Sequence, residues 1–452
     1  MDLAKQVTQA IETIFSNCLS LPAGAEIIIF GDETTLETTT LLAEVAVSMG
    51  FHPILTYFTI QMQKTLGDNH LPHTLENILN DTTSTLICLN GSPDCLSFRD
   101  NLRQAALNLG AKVAHMPGIS LNTLLLADVD YQTLTTECEM LALALAKGRK
   151  IEIISTDRSG NEYSLNVPLC PWVRLPIISD AVIQPGSWGN VPSGETYIAP
   201  IENAATGTIV INGSLPGYLI GQDDEIILRF EKGNLVEWRP TGSPAVQHLQ
   251  QTQIEFAKSQ GDQNWRNLAE IGFGVNPRVQ KLTGNPLLDE KKYGTVHIAI
   301  GDNIDMGGDV QSQIHCDMVC LSPRVKIDNK SLLHDGRITL EDSDWREDYR
   351  KINAPKAWHI DINIKCTAAD TRISDQGCLY RLWDTSAGRI CSVPVGNNET
   401  TRILAGIYQF LQQKVDQPMP LRDLAKQKKE FSLEQILQLT YLLRQYGLVN
   451  KV

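Results

Sequence analysis

Residues 25–58, AEIIIFGDETTLETTTLLAEVAVSMGFHPILTYF, decide the fold class of the amino-terminal part of this chain. The run AEIIIFGD is short, apolar and β-branched, as a strand covered on both faces of a parallel sheet must be. TTLETTTLLAEVAVSMG has helical periodicity, with a threonine-rich start suited to N-capping and Gly50 as a stop. FHPILTYF then reads as a second strand, so the stretch predicts a βαβ unit.

Outward from this unit the same pattern continues. An amphipathic helix, MDLAKQVTQAIETIF, precedes it, and STLICLNG, SFRDNLRQAALNLG and AKVAHMPG follow as strand, helix and strand. Alternating strands and helices predict a doubly wound α/β domain over residues 1–150. The residues after the first strand are GDETTLE, so the glycine-rich phosphate loop of a dinucleotide fold is missing. From 151 to 340 the texture is mainly β. KIEIISTDRSGNEYSLNVP reads as a hairpin, TGTIVINGSLPGY, EIILRFEKGNLVEW and GRITLEDSDW read as further short strands, and one helix interrupts them near 244–259. Residues 341–452 change again. KAWHIDINIKC and CLYRLWDTSAGRICSVPV look like strands, and three helical stretches, ending in SLEQILQLTYLLRQYGLV, give the pattern of a small α+β winged-helix-like module.

Composition narrows the function classes. The chain of 452 residues carries a formal charge of −13, which disfavours sequence-independent binding to nucleic acid. No run of apolar residues reaches membrane-spanning length, and the amino-terminal helix lacks the basic-then-apolar order of a signal peptide, so a cytoplasmic protein with no membrane partner is expected. The ten cysteines include no CxxC pair, which points to reduced, buried thiols and away from a zinc ribbon.

The chemistry is concentrated in the β-rich middle. In QIHCDMVCLSP, alternation along a strand sends His315 and Asp317 to one face, where an imidazole and a carboxylate make a pair of metal ligands. EKKYGTVHIAIGDN places His297 in an apolar strand, and the turn after it lets His297 and His315 lie on neighbouring strands. VPSGETYIAP and WRNLAEIGFGVNP place Glu195 and Glu270 among apolar residues, where a carboxylate requires a partner. Trp188, Trp238 and Trp265 fall near these segments, with core packing as their expected role.

Taken in order, GNVPSGETYIAP, NLAEIGFGVNP, DEKKYGTVHIAIGDN and IHCDM resemble the motif series of the thermophilic aminopeptidase family (aminopeptidases T and S) over roughly residues 1–335. The resemblance implies a dinuclear metallopeptidase with Zn, Co or Mn held by Glu195, Glu270, His297, His315 and Asp317. It also implies a peptide substrate and a homodimer, with Glu270 as the catalytic proton shuttle where it does not itself bind the metal. Three carboxylates and two neutral histidines would leave two dications with a net charge of about +1, enough to polarise a carbonyl and activate water. One position departs from the family: the tyrosine that follows the HIAIG histidine by seven residues is Ile304 here.

That departure keeps other readings open. His297, His315 and Asp317 would also make the 2-His-1-carboxylate triad of a mononuclear Fe(II) dioxygenase, a chemistry hosted by distant relatives of these aminopeptidases, with Glu195 and Glu270 outside the first ring of ligands. A third reading is a non-catalytic accessory protein whose carboxy-terminal module binds a protein or leader-peptide partner. Lys426, Lys428, Lys429 and Arg444 are interleaved with acids there, which favours peptide over DNA.

Overall fold

The computed structural model describes residues 3–66, 71–81, 85–92, 95–169, 174, 176–183 and 185–339, together with six short strands between 363 and 451. Helix α1 (Leu3–Thr13) leads into β1 (Glu26–Gly31), α2 (Leu36–Ser48) and β2 (His52–Tyr57), the βαβ unit expected from the sequence. After α3 (Ile60–Leu66) and α4 (His73–Asp81) come β3 (Thr85–Cys88), α5 (Leu96–Asn108) and β4 (Lys112–His115). These strands form one parallel sheet in the order β2-β1-β3-β4.

Alternate residues of β1 feed two cores, which is what a doubly wound sheet requires. Ile27 and Ile29 pack with Val7 and Ile11 of α1 and Leu42 and Ala46 of α2. Ile28 and Phe30 pack on the other face with Leu75 and Leu79 of α4 and Phe98 and Leu102 of α5. Fully burying each such side chain stabilises the fold by about 1.5–3 kcal/mol. The entry to α2 differs from the expectation: Thr35 makes no side-chain cap, because its hydroxyl is turned back onto Asp32, accepting from the Asp32 amide at 3.0 Å and donating to its carbonyl at 3.3 Å.

Helix α6 (Leu121–Leu124) and the long α7 (Tyr131–Lys147), which the pattern reading did not single out, lead to the β-rich part. Strands β5 (Lys150–Thr156) and β6 (Glu162–Pro168) form the expected hairpin, with Asp157 in its turn accepting from the amides of Ser159 and Asn161. Next come β7 (Ile177–Ser179) and β8 (Trp188–Asn190), and β8 returns to the first sheet, pairing parallel with β4. Then follow β9 (Glu195–Ile198), β10 (Thr206–Ile211), the small pair β11 (Ser214–Leu215) and β12 (Tyr218–Leu219), and the hairpin β13 (Ile226–Glu231) and β14 (Asn234–Arg239). The helix expected near 244–259 is α8 (Pro244–Leu249) and α9 (Glu255–Ser259), joined by a π turn.

Past it lie β15 (Leu268–Gly274), α10 (Pro286–Asp289), β16 (Val296–Gly301), β17 (His315–Cys320), β18 (Arg324–Ile327), β19 (Lys330–His334) and β20 (Arg337–Ile338). An eight-stranded antiparallel sheet runs β14-β13-β10-β6-β5-β18-β19-β20, and a five-stranded one runs β17-β16-β15-β9-β7. The chain is thus an α/β unit with a parallel sheet followed by a β-rich unit, and residues of the three largest sheets (Ile27, Ile153 and Ile298 among them) share one continuous core. In the tail, strands at Asn363–Cys366, Leu379–Leu382 and Ile390–Val393 fall where strands were expected. The helical stretches of the winged-helix pattern lie outside the described residues. No helix among the described residues is long and apolar enough to cross a membrane.

Candidate metal centre

The five-stranded sheet decides where the candidate ligands stand. Its register pairs Gly301 with His315 and Ala299 with Asp317. It also pairs Ala299 with Glu270, Gly272 with both His297 and Tyr197, and Gly274 with Glu195. Directly paired residues share a face, and so do alternate residues along a strand. One face therefore presents His315 and Asp317 from β17, His297 from β16, Glu270 from β15 and Glu195 from β9. The residues between them are Ala299, Gly301, Gly272 and Gly274. The other face carries Ile271, Phe273, Ile298, Ile300, Cys316 and Met318, all buried in the core.

The small residues on the polar face are required by the geometry. A Cβ at Gly272 would stand 2.0 Å from His297 Nε2, so only glycine lets the imidazole lie across β15. At Gly274 a Cβ would meet the Lys292 carbonyl at 2.1 Å. His297 is fully buried, Glu195 and Glu270 are nearly so, and His315, with its side chain 32% exposed, marks the open side.

The five side chains meet. His297 Nε2 lies 3.0 Å from Glu270 Oε1 and 3.8 Å from Glu195 Oε2. His315 Nε2 lies 3.2 Å from Glu270 Oε2 and 3.3 Å from Asp317 Oδ1. The sequence reading did not single out two further charged groups. Lys291, buried in the connection from α10 to β16, donates to Glu195 Oε1 at 3.0 Å and also pairs with Glu290. Glu290 and Lys291 stand in the charged run DEKK, a composition that ordinarily reads as solvated surface, so only their nearness to the HIAIG segment could have flagged them.

These contacts set the protonation states. Burial pushes the Glu270 carboxyl up, but hydrogen bonds from His297 and His315 and their charge outweigh it and hold the group at about 2. Burial pulls His297 down, and the hydrogen bond and charge of Glu270 override that and lift it to about 9. His315 is likewise pulled down by desolvation and raised well above its ordinary value by Asp317 and Glu270. Burial, then the Glu195 charge, pushes Glu290 up to about 8 despite Lys291 beside it. Lys291 stays firmly charged, since Glu195 and Glu290 more than offset its burial.

Without a cation the cluster is incompletely satisfied. Glu195 Oε2, His297 Nδ1 and Asp317 Oδ1 are buried with no hydrogen-bond partner among the described residues. Donor atoms of Glu270, His297 and Asp317 lie within 4.8 Å of one another, as do those of Glu195, Glu290 and His297. Imidazoles and carboxylates that converge with unsatisfied atoms are the donor set of a divalent ion, so these residues fit the metal expected from the sequence.

The loop from β16 to β17 closes one side. Asn303 donates to Glu202 Oε1 at 3.0 Å, and the buried Arg174 reaches Glu202 at 2.5 Å and Asp309 at 2.9 Å. Ser312 is tied to Asp262 at 2.5 Å. Ile304, at the position where the aminopeptidase pattern has tyrosine, sits in a short 3-10 turn and is 46% exposed. The tryptophans pack on arginines: Arg103 lies 4.3 Å from the Trp188 ring centre, and Arg266 lies 4.2 Å from that of Trp265 and 5.6 Å from that of Trp238.

A protein of known structure, 2,5-dihydroxypyridine dioxygenase from Pseudomonas putida KT2440, superposes with a TM-score of 0.56 over 74% of this chain and 97% of its own, at 17% identity. Wild-type AmpT from Thermus thermophilus superposes with a TM-score of 0.51 over 75% of this chain and 100% of its own, at 15% identity. The expected aminopeptidase likeness is thus present in the fold. By sequence, the 2,5-dihydroxypyridine 5,6-dioxygenase of Pseudomonas putida is 26% identical over 167 residues, covering 34% of this chain and 45% of that enzyme. The chain therefore matches less than half the length of this curated relative, and its relatives are enzymes. The sequence model of the family described as NicX, 2,5-dihydroxypyridine 5,6-dioxygenase, matches residues 101–340, more than half of the chain and all of the metal face, and the chain belongs to that family.

Proposed function

We propose that this protein is a mononuclear, Fe(II)-dependent dioxygenase that opens a dihydroxylated nitrogen heteroaromatic ring, with the ion held by His297, His315 and Asp317 and by Glu270 beside them. The observation that carries the single-ion reading is the Lys291 ammonium. It lies 3.0 Å from Glu195 Oε1 and pairs with Glu290, so these two carboxylates already have a cation. The family match and the curated relative supply the reaction class.

Held by these residues, Fe(II) would supply the activation of dioxygen and of the ring oxygens. The chain's own residues do the rest. The Asp302 carbonyl accepts a hydrogen bond from His315 Nδ1–H at 2.8 Å, which leaves Nε2 as the nitrogen that binds the ion. Glu270, between the two imidazoles, balances the ion's charge and fixes both rings.

A dinuclear hydrolase is the second reading. It is favoured by the separate convergence of Glu195, Glu290 and His297, which would seat another ion if Lys291 withdrew. Metal analysis after anaerobic purification separates the two. One equivalent of iron, lost in Asp317→Asn and kept in Glu195→Gln, with oxygen uptake on 2,5-dihydroxypyridine, supports the dioxygenase. Two equivalents of zinc, cobalt or manganese, with peptide cleavage and no oxygen uptake, would replace it by the hydrolase. The leader-peptide role of the tail remains a proposal from sequence pattern, tested by binding of peptides to the full chain.

A further inference from the structure

Tyr197 stands on the metal face. It is two residues after Glu195 on β9, and in register it pairs with Gly272, which in turn pairs with His297. Tyr197, Gly272 and His297 therefore form one row across three strands. Strands lie about 4.8 Å apart, so two spacings, about 10 Å, separate the outer backbones, a gap that the imidazole reaches into from one side. The middle position has no side chain to stand between them, and the imidazole already lies over it.

The phenol differs from its neighbours on this face. Tyr197 is only partly buried, and its hydroxyl has no hydrogen-bond partner among the described residues. The other hydroxyl on the face, that of Ser179, is engaged with Ser193 at 2.6 Å. Four carboxylates, Glu195, Glu270, Glu290 and Asp317, act on Tyr197, while the neighbouring cations are engaged, Lys291 by Glu195 and Glu290 and His297 by Glu270. A phenol keeps its proton at neutral pH and can donate it in a hydrogen bond. An oxygen of a ring substrate brought beside these carboxylates would be repelled unless a donor faced it.

We propose that Tyr197 is that donor: its O–H hydrogen-bonds an oxygen of the ring substrate at the ion, the part that the aminopeptidase pattern would give to a tyrosine at position 304. The inference rests on the dioxygenase reading for the identity of the substrate. It requires only that an oxygen-bearing ring binds on this face. The exposed Ile304 has no group for this role.

The test is Tyr197→Phe, which removes one oxygen and keeps the shape. Wild type and variant, loaded anaerobically with one ion, are titrated with 2,5-dihydroxypyridine and, separately, with 4-nitrocatechol, whose visible band reports its ionisation. The expected result is unchanged metal content, binding of both probes weakened by about ten- to a hundredfold, and a shifted 4-nitrocatechol band. Ile304→Ser should leave both affinities within about twofold. If Tyr197→Phe does not fold, Tyr197→Gln, which keeps an N–H donor, should bind the probes more tightly than Tyr197→Leu. Unchanged probe binding in Tyr197→Phe, or equal binding by the Gln and Leu variants, overturns the proposal, as does a wild type that binds neither probe. Wild-type binding of 4-nitrocatechol that depends on Tyr197, without turnover of 2,5-dihydroxypyridine, would keep Tyr197 and reject the dioxygenase reading.

Discussion

His315 Nδ1 lies 2.8 Å from the main-chain carbonyl of Asp302, and because a carbonyl only accepts, the ring must donate there. The proton on Nδ1 fixes the tautomer of the neutral ring, so that Nε2, which faces Glu270 and Asp317, is the nitrogen that loses its proton to bind a cation. The backbone at the end of β16 thus prepares a side chain on β17.

Metal binding should release protons, with affinity rising with pH. His297 is lifted to about 9 in the metal-free protein, and His315 is lifted as well. Their charged forms stabilise the metal-free fold fully below the unfolded value, and that contribution is lost as pH rises through the folded value near 9. Glu270, held near 2, has the opposite sign: its contribution is present above the unfolded value and is lost as pH falls toward 2. A divalent ion needs neutral imidazoles, so the rise in Tm on adding Mn²⁺ should be larger at about pH 8.5 than at about pH 6. An equal rise at both would mean that the histidines do not ligate.

Gly272→Ala should abolish metal binding while leaving the chain folded but weakened. The new Cβ would sit 2.0 Å from His297 Nε2, so the imidazole must leave its place. Overpacking of this kind costs about 1–3 kcal/mol. Thermal denaturation and metal analysis of the same sample check both halves.

Lys291→Met should be among the most destabilising single changes, at about 3–5 kcal/mol, because it leaves Glu195 and Glu290 buried without their cation. The double variant Lys291→Met/Glu195→Gln should recover part of that loss in urea denaturation. Additive losses would show that the pair is not coupled.

Arg174→Ala should loosen the loop from Asp302 to Ser312, since Arg174 holds both Glu202 and Asp309, and Glu202 holds Asn303. Amide hydrogen exchange across residues 302–312 should speed up, and metal affinity should fall through the freed Asp302 carbonyl. Exchange confined to 309 would show that the loop is held by Asp262 and Ser312 instead.

Much of this was legible because it is local. The β1–α2–β2 unit announces itself by one strand period and one helix period in adjacent residues. His315 and Asp317 share a face by alternation alone, and Gly301 ending a strand before a turn already brought His297 toward them. The missing parts depend on chain distant in sequence. Strand β8 has three residues, Trp188–Asn190, and no period can be read from three. Lys291 and Glu290 look like solvent-facing charge until the sheet closes over them. Tyr197 reads as an ordinary strand aromatic, and only its register with Gly272 shows what it faces.

The return of β8 to the parallel sheet has a practical consequence for dissecting the protein. Its last residue, Asn190, lies only a few positions before Glu195, so the strand that carries Glu195 is moored to the side of β4. A recombinant piece beginning near 150 would start with that mooring cut and the flank of β8 bare. Conversely, separately expressed pieces, one ending near 150 and one beginning there, should recognise each other through β4 and β8, and co-purify as a nicked but whole molecule.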